Sequence, residues 1–257
     1  MRLILTADDF GLDQDTVAAT TECFEMGALT SASIMARMPA TAAAVEYARR
    51  RPDLSFGVHL TYVRDTVEAP LSDPETIPAL VGPDGNFLPS NTVRMRALNR
   101  RIPIEQIVRE TEAQLAFVRD QNIAVSHVDS HGHLHKFGIF REALCQVLPR
   151  FGIHKVRSVQ DIYLRRLWKS PTYWFGVVWR HSIRKQFVTT DHLYLCGATM
   201  DSDWPARLLA KHLDGSLEIG VHPGHKEDWR RHECASIKEL VILAREYNHK
   251  LIGWAHL

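Results

Sequence analysis

The chain has 257 residues, 45% of them apolar and 24% charged, with a formal net charge of +1. That composition excludes a disordered chain, and the near-neutral balance argues against a nucleic-acid binder, whose footprint would be strongly basic. The four cysteines (Cys23, Cys145, Cys196 and Cys234) are scattered with no C-x-x-C pair, which predicts a reduced, cytoplasmic protein without a disulfide framework or zinc ribbon.

In chain order, "RLILTAD" predicts a buried strand over 2–8; the apolar run is too short for a signal peptide before Asp8 and Asp9 arrive. A helix follows over 13–27, then "TSASIMARM" (30–38) as a strand, an alanine-rich helix over 40–50, and "LSFGVHLT" (54–61) as a third strand. Residues 62–102 are rich in proline, aspartate and glycine and read as a long loop excursion, a length that usually signals a functional or substrate-covering loop. Beyond it come a helix over 103–120, "AVSHVDSH" (124–131), a helix over 138–150 and "KVRSV" (155–159) as a strand. A basic aromatic insertion spans 162–190, followed by a strand at 191–197, a helix at 203–213, a strand at 217–224 and a helix at 234–247 before "KLIGWAHL". No repeat, low-complexity tract or linker divides the chain, so residues 1–257 are expected to form a single domain. Alternating β and α units with near-continuous apolar strands imply a parallel sheet covered by helices: an α/β fold, a TIM-like (β/α) barrel that is incomplete or distorted. No apolar run approaches the ~18–20 residues that span a bilayer.

Chemistry in such a barrel collects where strands end, because the loops there converge on one face. Asp8-Asp9 closes the first strand, His59 the third, Asp129 to His135 the fourth, and His222 a late one. The nonapeptide "HVDSHGHLH" (127–135) holds four histidines, and burying unpaired imidazoles would be costly. A water-activating metal needs three protein ligands and an open position. Asp8 or Asp9, His59 and one of the 127–135 histidines could supply them, with the other aspartate taking a proton from water. His222, in "GVHPG", could protonate a leaving group. His127 precedes the strand end and reads as structural, whereas His154, His181, His212, His225, His232 and His249 read as solvated surface.

"ADDFG" (7–11), "GALTSASIMARMPA" (27–40), "GVHLT" (57–61), "HVDSHGHLH" and "HPG" (222–224) together resemble the YdjC-like carbohydrate deacetylase family, which includes chitooligosaccharide deacetylases. The matching blocks occur in the family's order and run nearly end to end. The resemblance implies a (β/α) barrel that removes an N-acetyl group from an amino sugar, with Asp9, His59 and His131 as metal ligands and Asp8 as general base. It also implies His222 as general acid or substrate-orienting group, and His133 and His135 near the substrate. Family members often read DSHHH, whereas Gly132 stands here at the middle position, so contacts from that turn are expected to differ. One divalent ion is implied; imidazole ligands suit zinc, nickel or cobalt, while the family is often described with magnesium. The rival readings are an amidohydrolase-like metal hydrolase of another amide or ester, which would carry its D-x-H-x-H on the first strand, and an inactive glycan- or glycolipid-binding protein.

Residues 162–190 contain six cations (Arg165, Arg166, Lys169, Arg180, Arg184 and Lys185) and no acid, against +1 for the whole chain. Trp168, Tyr173, Trp174, Phe175 and Trp179 interleave with them. That mixture suits a peripheral contact with the inner face of a membrane, through Arg165, Arg166, Trp168, Trp174, Trp179, Arg180 and Arg184, and hence a lipid-linked N-acetylated sugar as substrate. The competing reading packs the aromatics on the barrel and leaves the charges solvated. Pro171 is expected to divide the segment into two short helices.

Overall fold

The structure, a computed structural model, describes residues 1–164, 171–197 and 200–257. Its elements in chain order are β1 (Arg2–Phe10), α1 (Gln14–Glu25), β2 (Ser31–Ile34), α2 (Thr41–Arg50), β3 (Ser55–Leu60), α3 (Ser90–Leu98) and α4 (Ile104–Arg119). They continue with β4 (Val125–Ser130), α5 (Gly138–Val147), α6 (Pro171–Gln186), β5 (His192–Leu195), α7 (Trp204–Leu209), β6 (Ser216–Val221), α8 (Asp228–Glu246) and β7 (Lys250–Leu251). The strands form one parallel sheet in the order β4-β3-β2-β1-β6-β5, with β7 beside β1. The sheet curls into a half-barrel rather than a closed ring, the incomplete TIM-like architecture that the βα alternation predicts.

Two expected features take a different form. "KVRSV" makes only single parallel bridges, Val128 with Val156 and Lys155 with Val188, so it spans the gap between β4 and the segment that leads into β5 without becoming a full strand. The excursion, expected as a loop, contains α3 and is tied down by α4. Glu110 of that helix accepts the backbone N–H groups of Leu71 and Ser72 at 3.0 and 2.9 Å, and Gln114 bonds both the N–H and the carbonyl of Thr61 at 2.8 and 2.6 Å. Polar side chains on a helix face were needed to satisfy a loop backbone that has no strand partners.

Pro171 opens α6, as suits a residue whose missing N–H is harmless in a first helical turn; the other of the two expected helices falls on 165–170, outside the described residues. Helix α8 begins six residues before the expected 234, at Asp228, an acid favourably placed at a helix N-terminus. The terminal segment seals the opposite end of the barrel from the strand C-termini. Trp254, fully buried, donates its backbone N–H to Ser31 Oγ at 3.1 Å and stacks on His127 at 4.7 Å, while Ala255 N–H reaches Ser55 Oγ at 3.0 Å. His127 is therefore structural, as read; burial pushes its pKa down to about 3.

Candidate active site

The two aspartates of "ADDFG" diverge because the backbone breaks between them. The β1–β2 register shifts between Ala7 and Phe10, and Asp9 takes φ 58°, a left-handed conformation that costs a non-glycine residue about 1–3 kcal/mol. Asp8 consequently faces Arg157, whose Nη1 lies 2.7 Å from its Oδ2, while Asp9 faces the histidines. Asp9 Oδ1 lies 3.1 Å from His131 Nδ1 and 3.5 Å from His59 Nε2. Donor atoms of Asp9, His59 and His131 all fall within 4.8 Å of one another, so this group could hold a metal ion.

Strand register supplies the support. His59 and Asp129 are register partners on β3 and β4, which brings His59 Nδ1 to 2.8 Å from Asp129 Oδ1 and leaves Nε2 pointing at Asp9. His131 is held likewise from behind, its Nε2 lying 3.0 Å from Asp65 Oδ2. Asp65 comes from the excursion, and the buried Glu68 presents it by accepting the N–H groups of Asp65 and Thr66 at 2.9 and 2.7 Å. A carboxylate behind each imidazole fixes the ring and makes it a better donor to a cation.

A second group, Asp8, His59 and Asp129, also converges. Arg157 lies 2.7 Å from oxygens of both carboxylates of that group, Asp8 and Asp129, whereas in the Asp9 group Arg230 takes only Asp9 Oδ2, at 3.1 Å, and leaves Oδ1 to the histidines. The Asp9 group is the better fit, since its two imidazole nitrogens and one carboxylate oxygen form the donor set of many catalytic ions.

Electrostatics follow the same division. Burial opposes charge on Asp9, but the hydrogen bond and charge of His131, with His222 and His59, hold it well below the usual carboxylate range. His131 is disfavoured as a cation by burial yet pushed up to about 10 by Asp65 and Asp9. His222 follows Val221, the register partner of Ala7, which sets it beside Asp8 with Nε2 at 3.9 Å from Asp8 Oδ2. Its Nδ1 lies 3.3 Å from Glu233 Oε2, which also accepts the His222 backbone N–H at 2.7 Å. Against burial, Glu233 together with Asp9 and Asp8 raises His222 to about 9.

His133 and His135 stand apart from this centre. His135 is buried, bonded to Ser130 Oγ at 2.7 Å, and burial lowers it to about 4. His133 is held neutral by burial, and its buried Nδ1 has no partner among the described residues. Both line a cavity next to the centre. The kink between them and His131 depends on Gly132 at φ 64°, where an added Cβ would lie 3.3 Å from Arg94 Nη2; the bare α-carbon lets Arg94 donate to the Gly132 carbonyl at 2.9 Å.

Of the residues in the basic aromatic insertion, Arg165, Arg166 and Trp168 lie outside the described residues. Trp179 packs on Phe137 and Phe175, with ring centroids at 5.2 and 5.9 Å. Arg180 pairs with Asp161, Arg184 donates to the Asp191 carbonyl, and Trp174 is 60% exposed. No helix among the described residues is long and apolar enough to cross a membrane. The surface reading of the remaining histidines holds for His154, His181, His212 and His225, but His249 is half-buried and His232 is half-buried on the Asp201 carbonyl at 3.2 Å.

Four site residues had not been singled out from sequence: Arg157, Glu233, Asp65 and Arg230. Arg230 donates to Asp9 Oδ2 at 3.1 Å and to Glu227 at 2.7 Å. It packs so close to Gly224 that a Cβ there would sit 2.7 Å from its Cδ, a physical reason for the glycine of "HPG". That glycine was the one available signal for Arg230.

A family model described as YdjC-like protein matches residues 2–250. A carbohydrate deacetylase of Halalkalibacterium halodurans is 28% identical over 253 residues, covering 95% of this chain and 96% of the relative. A carbohydrate deacetylase of Listeria monocytogenes serotype 4a is 32% identical over 260 residues, covering 98% and 95%. Among solved structures, an Enterococcus faecalis V583 protein described as a cellobiose-phosphate cleavage protein superposes with a TM-score of 0.79 at 20% identity, over 99% of this chain and 98% of its own, which shows a shared fold. With the family model spanning nearly the whole chain and full-length relatives of the same kind, the chain belongs to the YdjC-like family.

Proposed function

We propose that this protein is a metal-dependent hydrolase that removes the N-acetyl group of an amino sugar, releasing acetate and a free amine. The relatives' shared name supports the substrate class. The observation that carries the mechanism is the unequal environment of the two adjacent aspartates. Asp9 is turned to the histidines, whereas the buried Oδ1 of Asp8 has no hydrogen-bond partner among the described residues, which suits an oxygen kept for a water or a catalytic proton.

Asp9, His59 and His131 hold the divalent ion. When bound, that ion supplies Lewis acidity, polarising the acetamide carbonyl and making a nearby water more acidic. Asp8 accepts a proton from the attacking water at Oδ1, with Arg157 fixing its other oxygen. The new C–O bond forms at the acetyl carbon, and the C–N bond breaks as His222 delivers its proton to the departing amine. His222 suits that role because its pKa of about 9 keeps it protonated near neutrality. The two-nitrogen donor set favours zinc, nickel or cobalt over magnesium. The sugar is carried on an apolar aglycone, a reading supported by Trp174, Phe175 and Val178, which lie 60%, 58% and 62% exposed on α6 and suit a peripheral lipid contact.

The test is acetate release from N-acetylglucosamine oligosaccharides and their alkyl glycosides, using chelator-stripped protein reloaded with zinc, nickel, cobalt or magnesium. Acetate from the reloaded protein only is expected; sugar binding with no acetate under any metal would leave a glycan-binding protein instead.

Two further outcomes follow from the carboxylates behind the imidazoles. Asp65→Asn is expected to weaken metal affinity about 10–100-fold by calorimetry, because His131 Nε2 then faces a neutral amide in place of the carboxylate that makes the ring a better donor. An unchanged affinity would show that Asp65 serves only the loop. Activity that needs protonated His222 is present below its pKa and lost as pH rises through it. Glu233→Gln removes the group that raises that pKa, so the alkaline limb of kcat should move to lower pH by roughly one to two units. A limb that stays in place would remove His222 as the acid.

A further inference from the structure

Trp229 contributes little to the core. Trp204 and Trp254 are fully buried and Trp179 packs against the core, but the half-buried Trp229 joins neither apolar cluster among the described residues. Its ring contacts there are with two polar groups of the site. The His222 ring meets it at 5.7 Å and 62°, and the Arg230 guanidinium carbon lies 4.5 Å from its centroid. A large apolar ring ordinarily stabilises a fold by leaving water for other apolar groups. This one is held beside charged side chains instead.

Helix α8 explains the placement. It starts at Asp228, shortly after the "HPG" turn, so Trp229 and Glu233 lie four residues apart on one face. Glu233 takes the Nδ1 side of His222 at 3.3 Å and Trp229 lies against the ring, while Nε2 stands 3.9 Å from Asp8 Oδ2. Arg230 is fixed in turn by Asp9 Oδ2 at 3.1 Å and Glu227 at 2.7 Å, and its guanidinium covers one face of the indole. The indole is thereby tied to both Asp9 and His222.

A pyranose whose amide nitrogen reaches His222 and whose acetyl carbonyl reaches the Asp9–His59–His131 cluster has its ring carbon one bond from that nitrogen. The sugar ring therefore lies on the His222 side of the centre. Its hydroxyls radiate from the rim and leave a face of C–H groups, which calls for a flat apolar partner. Trp229 is the one aromatic ring in contact with His222 among the described residues, and its Nε1–H donates to none of them. The indole offers an apolar face to the C–H groups and a donor to a rim hydroxyl.

We propose that Trp229 is the stacking platform for the pyranose that carries the acetamide, and that it sets the sugar's nitrogen at His222. The proposal rests on the deacetylase reading and adds a specificity-determining residue to it. The contact is remote from the bond that breaks and is made equally before and during the reaction, so it governs affinity rather than the chemical step.

Trp229→Leu keeps an apolar side chain without a flat face. In metal-loaded protein its KM for N-acetylglucosamine oligosaccharides should rise about tenfold or more with kcat within about twofold, as when uniform binding is lost. Trp229→Phe restores a ring and should bring KM back to within about threefold of the unsubstituted protein. The alkaline limb of kcat should stay in place in both. A fall in kcat at unmoved KM, or a displaced limb, would make Trp229 a support for His222 and overturn the platform. Binding is read separately by NMR of the indole N–H groups in zinc-loaded protein titrated with N-acetylglucosamine and with glucosamine. The Trp229 resonance, identified by its loss in Trp229→Phe, should shift while those of Trp204 and Trp254 stay. A stationary Trp229 resonance overturns the proposal, and with acetate released at unchanged KM in Trp229→Leu it leaves the deacetylase standing. A shifted resonance with no acetate under any metal upholds the platform and overturns the reaction.

Discussion

Asp8→Asn is expected to lower kcat for acetate release by about 10²–10⁴, the usual worth of a positioned general base, while the protein still binds one metal ion. The amide keeps the shape of the side chain and an oxygen that can accept from Arg157 Nη1, but its remaining polar atom no longer takes up a proton. Asp9→Asn should do the reverse at the first step. Its carboxylate oxygen faces both His59 and His131, so its loss removes the only anionic member of the cluster and should abolish stoichiometric metal binding in calorimetry. The pair of measurements separates base from ligand at adjacent positions. If Asp8→Asn loses the metal and Asp9→Asn keeps it, the two roles are exchanged.

The second large effect concerns stability. Arg157 is fully buried and reaches three carboxylates: Asp8 and Asp129 at 2.7 Å each, and Glu218 at 2.8 Å. Burial alone would drive its pKa down, but Asp129, Asp8 and Glu218 hold it well above the ordinary value. Asp129 in turn stays well below the usual carboxylate range despite burial, through Arg157 and His59, whereas burial raises Glu218. Arg157→Met leaves these carboxylates buried without their counter-charge, a change that typically costs about 3–5 kcal/mol. The unfolding midpoint should fall by roughly 10 °C. Arg157→Lys should recover only part of this, because an ammonium cannot present a guanidinium's fixed fork to several acceptors. Unfolding of Arg157→Met at the original midpoint would show that the cluster relaxes or takes up protons at little cost.

The same residue marks the limit of what could be read locally. Arg157 sits in "KVRSV", where nothing nearby distinguishes it from a surface arginine; its partner Asp8 is 149 positions away. Arg230 and Asp9 are separated by 221 positions and Asp65 and His131 by 66. Glu233 is only 11 from His222, yet the helix that carries it starts earlier than its apolar pattern indicates. By contrast, Asp8, Asp9, His59, His131 and His222 stand out because each ends or follows a strand in an alternating β/α chain, and a barrel gathers strand ends on one face.

What the amino-acid sequence determined by itself was therefore the period: buried strands alternating with amphipathic helices, and polar groups placed where strands stop. Those features depend on neighbours a few residues apart, so they survive as a linear pattern. Only the tertiary structure decided that the strands end at β4 and β5 with single bridges from 155–159 across the gap, that a carboxylate backs each of His59, His131 and His222, and that a cavity adjoins the cluster. These follow from sheet curl, strand register and the path of long loops, which set distances between residues the chain itself keeps far apart.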